Sequence, residues 1–166
     1  MQNRRTLFGA LAAGVTGFFG WRTFDGETET AHARTFEVTK TAAEWKQKLS
    51  PQQFQVLREH GTERPGTSPL NREKRKGVFS CAGCDLPLFS STTKYESGTG
   101  WPSFWQPLPN AVATHTDRSL LMARTEVHCS RCGGHLGHVF NDGPRPTGLR
   151  YCMNGVAMNF AADQAA

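Results

Sequence analysis

Apolar residues recur along this chain with two different periods, and the change comes near residue 61. Trp45 and Leu49, then Phe54 and Leu57, fall at helical spacing, giving one apolar stripe in each of two short segments. Thr41-Ala42-Ala43-Glu44 and Ser50-Pro51-Gln52-Gln53 lie at the head of those segments and fit the capping-box pattern. The second also carries Pro at the first helical position. Two short helices are predicted, with Gly61 placed to stop the second. Residues 61–71, rich in Gly, Pro and Ser, read as a loop. Beyond that loop the apolar runs are short and punctuated by Gly, Pro and Asn, at 77–79, 86–89, 119–123, 138–140 and 150–160. Such runs predict strands of an antiparallel, mostly β domain. On an extended strand Arg150, Cys152 and Asn154 share one face, while Tyr151 and Met153 point the other way.

The first residues follow neither pattern. Arg4-Arg5 precedes an uncharged run from Leu7 to Trp21, rich in Gly, Ala and Phe, as in a twin-arginine export signal. The run is short and Gly-rich for a membrane span, which needs about 20 apolar residues. Ala31-His32-Ala33 offers a cleavage site, although acidic residues (Asp25, Glu27, Glu29) separate it from the apolar run, so an uncleaved anchor stays open. The expected organisation is a signal or anchor over residues 1–33 and one domain over 34–166. The protein would then be exported in a bacterium to the periplasm, or held at the membrane by an uncleaved anchor.

Charge adds little. The whole chain of 166 residues has a formal net charge of +5, and residues 1–33 hold as many acidic as basic side chains. A surplus of that size serves solubility as readily as nucleic-acid binding. The one dense basic run, Arg72-Glu73-Lys74-Arg75-Lys76, falls in a polar connector and reads as a solvated loop.

Cysteine changes the picture most. Four of the five cysteines form two Cys-x-x-Cys pairs, Cys81/Cys84 and Cys129/Cys132, each in a Gly-containing turn. Two such pairs predict one tetrahedral zinc site with four thiolate ligands. The 44 residues between them are no obstacle, because loop closure costs grow slowly with length. A closed tetrathiolate site has no open position, so this zinc is expected to be structural, one per chain. Disulfides are the rival reading, since export implies an oxidising compartment. Export of an already folded, metal-loaded chain would protect the thiols. Cys152 is left over, and a lone thiol outside a ligated set is a candidate nucleophile.

Three segments then resemble a known family. Gly98-Thr99-Gly100-Trp101-Pro102-Ser103-Phe104, the run from Cys132 through His135, His138, Phe140 and Asp142 to Pro144, and Arg150-Tyr151-Cys152-Met153-Asn154 are similar to the B-type methionine sulfoxide reductases. The resemblance covers about residues 35–160. It implies two antiparallel sheets with short N-terminal helices, and reduction of the R epimer of methionine sulfoxide in proteins and peptides. Cys152 would attack the sulfoxide sulfur and pass through a sulfenic acid. A free cysteine has a pKa near 8.5, so the thiolate needs support, and Arg150 on the same strand face could supply it by charge. The resemblance gives Arg150 a carboxylate partner in Asp142. It places His135 and His138 in the site, where imidazoles could donate the proton, and has Asn154 order water or a histidine. Trp101 would pack on the sulfoxide methyl group and Phe140 would line the same pocket. On one straight strand His135 and His138 point to opposite faces, so Leu136-Gly137 must bend the chain.

One departure matters. Many members of the family carry a resolving cysteine where this chain has Thr99, and with four thiols on zinc none remains elsewhere. A thioredoxin-like or other external thiol would have to attack the sulfenic acid directly. The expected partners are this reductant, the oxidised methionine substrate and the export machinery; a monomer is expected. Three other readings compete. A zinc-ribbon nucleic-acid module shares the four cysteines and basic charge, but export removes it from DNA, and its aromatics are not interleaved with basic residues as stacking requires. A thiol redox sensor would use Cys152 without turnover, and a purely structural zinc domain would not use it at all.

Overall fold

The computed structural model describes residues 35–117 and 124–164. The signal or anchor expected over 1–33 and the strand expected at 119–123 lie outside the described residues. Two short helices open the domain, α1 (Ala42–Lys48) and α2 (Pro51–Glu59). Both capping boxes form: Thr41 exchanges hydrogen bonds with Glu44, and Ser50 with Gln53. Trp45, Leu49, Phe54 and Leu57 are buried, as their spacing requires, and Val56 joins them. The end of α2 departs from expectation. The left-handed residue that closes it is His60 (φ 54°), not Gly61. Gly61 is needed for a different reason: a Cβ there would stand 2.9 Å from the Gln55 carbonyl oxygen that accepts its N–H.

Among the described residues, nine strands form two antiparallel sheets. The first has three strands in the order β2 (Pro87–Ser90), β1 (Gly77–Cys81), β9 (Met158–Ala162). The second has six, in the order β3 (Lys94–Tyr95), β4 (Ser103–Phe104), β8 (Arg150–Met153), β7 (His135–Phe140), β6 (Arg124–Cys129), β5 (Val112–Asp117). The run 150–160, expected as one strand, is two. A 3-10 turn at Gly155–Ala157 breaks it, and its halves pair in different sheets. At the break the Gly155 and Val156 N–H groups donate to the Glu63 carboxylate, and only glycine fits at 155, where a Cβ would collide with the Ser68 hydroxyl.

The core lies between the sheets. Phe79 and Phe89 of the small sheet meet Phe104 of the large one with ring centroids 5.0 and 4.3 Å apart. Tyr151 and Met153 turn toward this core, as the alternation along β8 predicts. Burial of whole aromatic side chains, each worth roughly 2 kcal/mol or more, therefore fixes which face of β8 is left for Arg150 and Cys152. The basic run after residue 71 is solvent-facing, and Arg75 forks onto Glu73. Among the described residues no helix is long and apolar enough to cross a membrane.

Candidate active site and metal centre

Both Cys-x-x-Cys turns have the same backbone plan. The N–H four residues on folds back to the carbonyl of the first cysteine, Asp85 onto Cys81 at 2.8 Å and Gly133 onto Cys129 at 2.9 Å. The residue after each second cysteine is left-handed, Asp85 at φ 61° and Gly133 at 67°. A side chain at Gly133 would run into the Phe36 ring. The turns bring Cys81 and Cys84, at the end of β1, against Cys129 and Cys132, at the end of β6, so the cluster joins the two sheets.

The sulfur spacing identifies what the cluster is built for. Cys81 and Cys132 sulfurs are 3.7 Å apart and Cys84 and Cys129 sulfurs 3.5 Å, with all four within 4.8 Å. A disulfide needs about 2.05 Å, whereas tetrahedral bonds of about 2.3 Å set sulfurs about 3.8 Å apart. All five cysteines are free thiols, with Cys81, Cys129 and Cys132 buried and Cys84 partly so. Hydrogen bonds from Cys129, Cys132 and Cys84 push the Cys81 thiol up, since crowded sulfurs cannot all ionise without a cation. The donor set fits a bound metal ion, and Cys81, Cys84, Cys129 and Cys132 would hold it.

Cys152 stands apart from that cluster, half-exposed in the middle of the large sheet. Its direct neighbours are Ser103 on β4 and His138 on β7. The same register continues outward, to Tyr95 beyond Ser103, and to Glu126 and His115 beyond His138. One transverse row, Tyr95, Ser103, Cys152, His138, Glu126, His115, thus crosses all six strands on one face. Directly opposed side chains sit about 5 Å apart at Cβ, so the row is a continuous line of polar and titratable groups.

A bulge brings His135 into it. Between Val127 and His128 the register of β6 against β7 slips, leaving Leu136 as the extra residue. His135 and His138 then share a face, with rings 5.5 Å apart and edge-to-face, which is the bend their spacing demands. Asn154 locks the bulge: its Nδ2 and its backbone N–H both donate to the Leu136 carbonyl, at 3.1 and 2.8 Å, while its Oδ1 accepts from the Glu63 N–H at 3.0 Å. The Asn154 amide is engaged with backbone, and it acts on the site through the bulge. Gly137 allows the close strand approach here, since a Cβ would strike the Cys152 carbonyl oxygen.

Glu126 is the residue the sequence did not reveal. It is 3% exposed, and three imidazoles donate to its carboxylate: His135 Nδ1 at 2.5 Å and His60 Nδ1 at 3.1 Å to Oε1, and His115 Nε2 at 2.9 Å to Oε2. Burial pushes its carboxyl up, but the hydrogen bond from His135 and the charges of His135, His60 and His115 outweigh that and hold it below the ordinary range. Its signal was a carboxylate among buried positions of β6, three residues before a metal-type cysteine. His135 Nε2 is buried without a hydrogen-bond partner.

On the other side of Cys152, Arg150 forks onto Asp142, Nε to Oδ1 at 2.8 Å and Nη2 to Oδ2 at 2.9 Å. That hydrogen bond lowers the Asp142 carboxyl and raises Arg150, which lies within charge range of Cys152. The guanidinium sits 4.3 Å over the Phe140 ring, so Phe140 braces Arg150. Trp101 donates from Nε1 to the Glu63 carbonyl at 3.1 Å and remains half-exposed two residues before Ser103. Thr99 Oγ1 is 3.7 Å from the Cys152 sulfur and continues through Ser97 (2.9 Å) to Ser103 (2.7 Å). A cleft of about 400 Å³ lined by Tyr95, Ser97, Thr99, Asp142 and Arg150 opens beside this hydroxyl chain. The Tyr95 hydroxyl in it is buried without a partner, and burial raises its pKa.

The SelR domain family matches residues 49–162. The chain is 55% identical over 125 residues to peptide methionine sulfoxide reductase MsrB of Agrobacterium fabrum, covering 75% of this chain and 93% of that protein. It is 55% identical over 126 residues to the protein of the same name in Leptospira interrogans, covering 75% and 96%. With the chloroplastic peptide methionine sulfoxide reductase B1 of Arabidopsis thaliana it shares 52% over 120 residues, 72% of this chain and 59% of that one. The chain belongs to the MsrB family of peptide methionine sulfoxide reductases.

Proposed function

We propose that this protein reduces the R epimer of methionine sulfoxide in proteins and peptides, with Cys152 as nucleophile. The observation that carries the reading is a free thiol placed between an imidazole, His138, and a guanidinium, Arg150, on a face clear of the metal cluster. Family membership supports the reaction class. The Cys152 thiolate attacks the sulfoxide sulfur while an imidazolium, His135 or His138, gives its proton to the sulfoxide oxygen. The substrate's S–O bond breaks as the oxygen passes to the Cys152 sulfur, and the new bond between the two sulfurs breaks with its electron pair left on the substrate. Methionine departs reduced by two electrons, while Cys152 holds the oxygen as a sulfenic acid. Glu126 accepts from His135 Nδ1, fixing that tautomer and leaving Nε2 for the proton. Asp142 aims Arg150, and Trp101 and Phe140 bound the place of the methyl group.

All other cysteines lie in the metal cluster, so recycling falls to an external thiol, thioredoxin-like in an extracytoplasmic setting. One thiol attacks the sulfenic acid and releases water; a second frees Cys152 from the mixed disulfide. The ion on Cys81, Cys84, Cys129 and Cys132 is zinc in this reading. It supplies cross-sheet closure and takes no part in the chemistry. Arg4-Arg5 and the Gly-rich run after them support export by a twin-arginine route, with residues 34–166 as the catalytic domain working as a monomer. Turnover of each epimer by wild type and Cys152→Ser, with dithiothreitol as electron source, tests the assignment. The R epimer should be consumed by wild type alone, and the S epimer by neither.

A further inference from the structure

We propose that His60, Glu126 and His135 form a second metal site, for a borderline divalent ion such as Zn²⁺ or Co²⁺, separate from the four cysteines. Two imidazole nitrogens, His60 Nδ1 and His135 Nδ1, approach the same carboxylate oxygen, Oε1 of Glu126, at 3.1 and 2.5 Å. As they stand both nitrogens donate to that oxygen, and a bound ion would take the place of the two protons, which are released on binding. The three ligand atoms lie within 4.8 Å of one another. Bonds of about 2.0–2.2 Å to nitrogen and oxygen set ligands roughly 3.4 Å apart in a tetrahedron, so the gaps must widen by less than about 1 Å.

Most of that opening, about 0.9 Å, falls between His135 and Glu126, and His60 has about 0.3 Å to move. Its side chain is 64% exposed at the end of α2, while Glu126 and His135 are 4% and 3% exposed in strands. The two buried ligands must part to admit the ion while the exposed one closes from the solvent side, which also leaves an entry path and a water for the fourth position. The carboxylate is already oriented from behind, by His115 Nε2 on Oε2 at 2.9 Å, the outer-shell hydrogen bond that metal-bound carboxylates use. Two imidazoles and one carboxylate favour zinc-like ions over Mg²⁺ or Ca²⁺, which prefer all-oxygen sets.

The site stands on this geometry alone, whereas its effect on turnover rests on the reductase reading. An ion on His135 Nδ1 keeps that ring from taking a second proton, so it can no longer act as an imidazolium acid. Metal binding here would switch the reductase off.

The test uses full-chain protein with its first equivalent of zinc in place, titrated with Co²⁺ and followed by visible absorption. A second equivalent with weak d–d bands and no thiolate charge-transfer band is expected. His60→Asn, chosen because Asn tolerates the left-handed backbone at that position, should bind Co²⁺ at least about tenfold more weakly. Glu126→Gln should do the same. No second equivalent, or one with thiolate bands, or equal affinity in His60→Asn, would overturn the site. Saturating Co²⁺ should abolish sulfoxide turnover by wild type and spare that of His60→Asn. Binding without inhibition would keep the site and sink the role given to His135. A chain with no turnover at any metal level would sink the reductase reading and leave the Co²⁺ titration to decide the site.

Discussion

Cys152 and His138 face each other directly across β8 and β7, and that pairing ties the thiol to every titratable group in the row beyond it. The pairing is a property of register. A slip of one residue would turn Cys152 into the aromatic core and Tyr151 toward solvent, because side chains alternate along a strand. Met153, Phe104 and Phe89 on the opposite side hold the register by burial.

Gly137 tests that dependence. Its neighbour across the strand pair is Met153, and a Cβ would collide with the carbonyl oxygen of Cys152, which belongs to rigid backbone. Gly137→Ala should therefore push β7 off β8 at the nucleophile. The expected result is a loss of about 2–3 kcal/mol of stability together with a larger loss of kcat than the stability change accounts for. Urea unfolding and steady-state kinetics on the same preparation separate the two.

Glu126 gives a prediction with a sign in pH. Its carboxyl is held below the ordinary range, so the unfolded chain takes up its proton at higher pH than the folded one. Stability from this group is complete above the unfolded value of about 4.3 and drains away as pH falls through the lower folded value. Below about pH 5, wild type should thus lose stability more steeply than Glu126→Gln as acid is added. Identical slopes in urea titrations would exclude the assignment. At neutral pH the same variant should lower kcat by about 10²-fold, the scale of one misplaced proton donor.

The chemistry was more legible in the sequence than its wiring. Cys-x-x-Cys spacing, capping boxes and alternation along 150–154 are local, and each carries its own geometry. The tie between the two cysteine pairs, the helix starts and the two faces of β8 could be argued without coordinates. Glu126, His60 and His115 could not. They come from β6, the end of α2 and β5, and only strand register makes them neighbours. The split of 150–160 into two strands was hidden for a related reason, since the backbone N–H groups at the break, Gly155 and Val156, donate to the distant Glu63. The closing residue of α2 is a smaller case. His60 takes the left-handed conformation, and Glu126 holds its ring from the large sheet.

Metal removal should unfold the domain and not merely inactivate it. The four sulfurs join β1 of the small sheet to β6 of the large one, and without a cation they become crowded, buried thiols. Binding energy at such a site is largely folding energy, of order 10 kcal/mol for structural zinc. Cys84→Ser, or a strong chelator with mild acid, should abolish the cooperative thermal transition seen by circular dichroism. One zinc per chain released on thiol modification would give the stoichiometry. A chelated chain that kept its transition would assign the stability to the aromatic core alone.

Thr99 supplies the sharpest contrast between this chain and one with an internal resolving thiol. Its hydroxyl is 3.7 Å from the Cys152 sulfur, and no other cysteine lies outside the metal cluster. Wild type oxidised by substrate without reductant should therefore stop at a sulfenic acid, which dimedone traps and mass spectrometry reads as an adduct on the Cys152 peptide. Thr99→Cys places a second sulfur within reach of the first, because a side-chain rotation closes 3.7 Å to the S–S bond of about 2.05 Å. In that variant the introduced thiol should crosslink to Cys152 after one turnover. Dimedone reactivity should then be lost, and turnover should rise with a dithiol protein reductant relative to small thiols. Condensation of thiol with sulfenic acid releases water and balances without another oxidant. A wild-type chain that gave an intramolecular disulfide, or a Thr99→Cys chain that still carried the dimedone adduct, would show that the sulfur is reached from a different side than the Thr99 contact indicates.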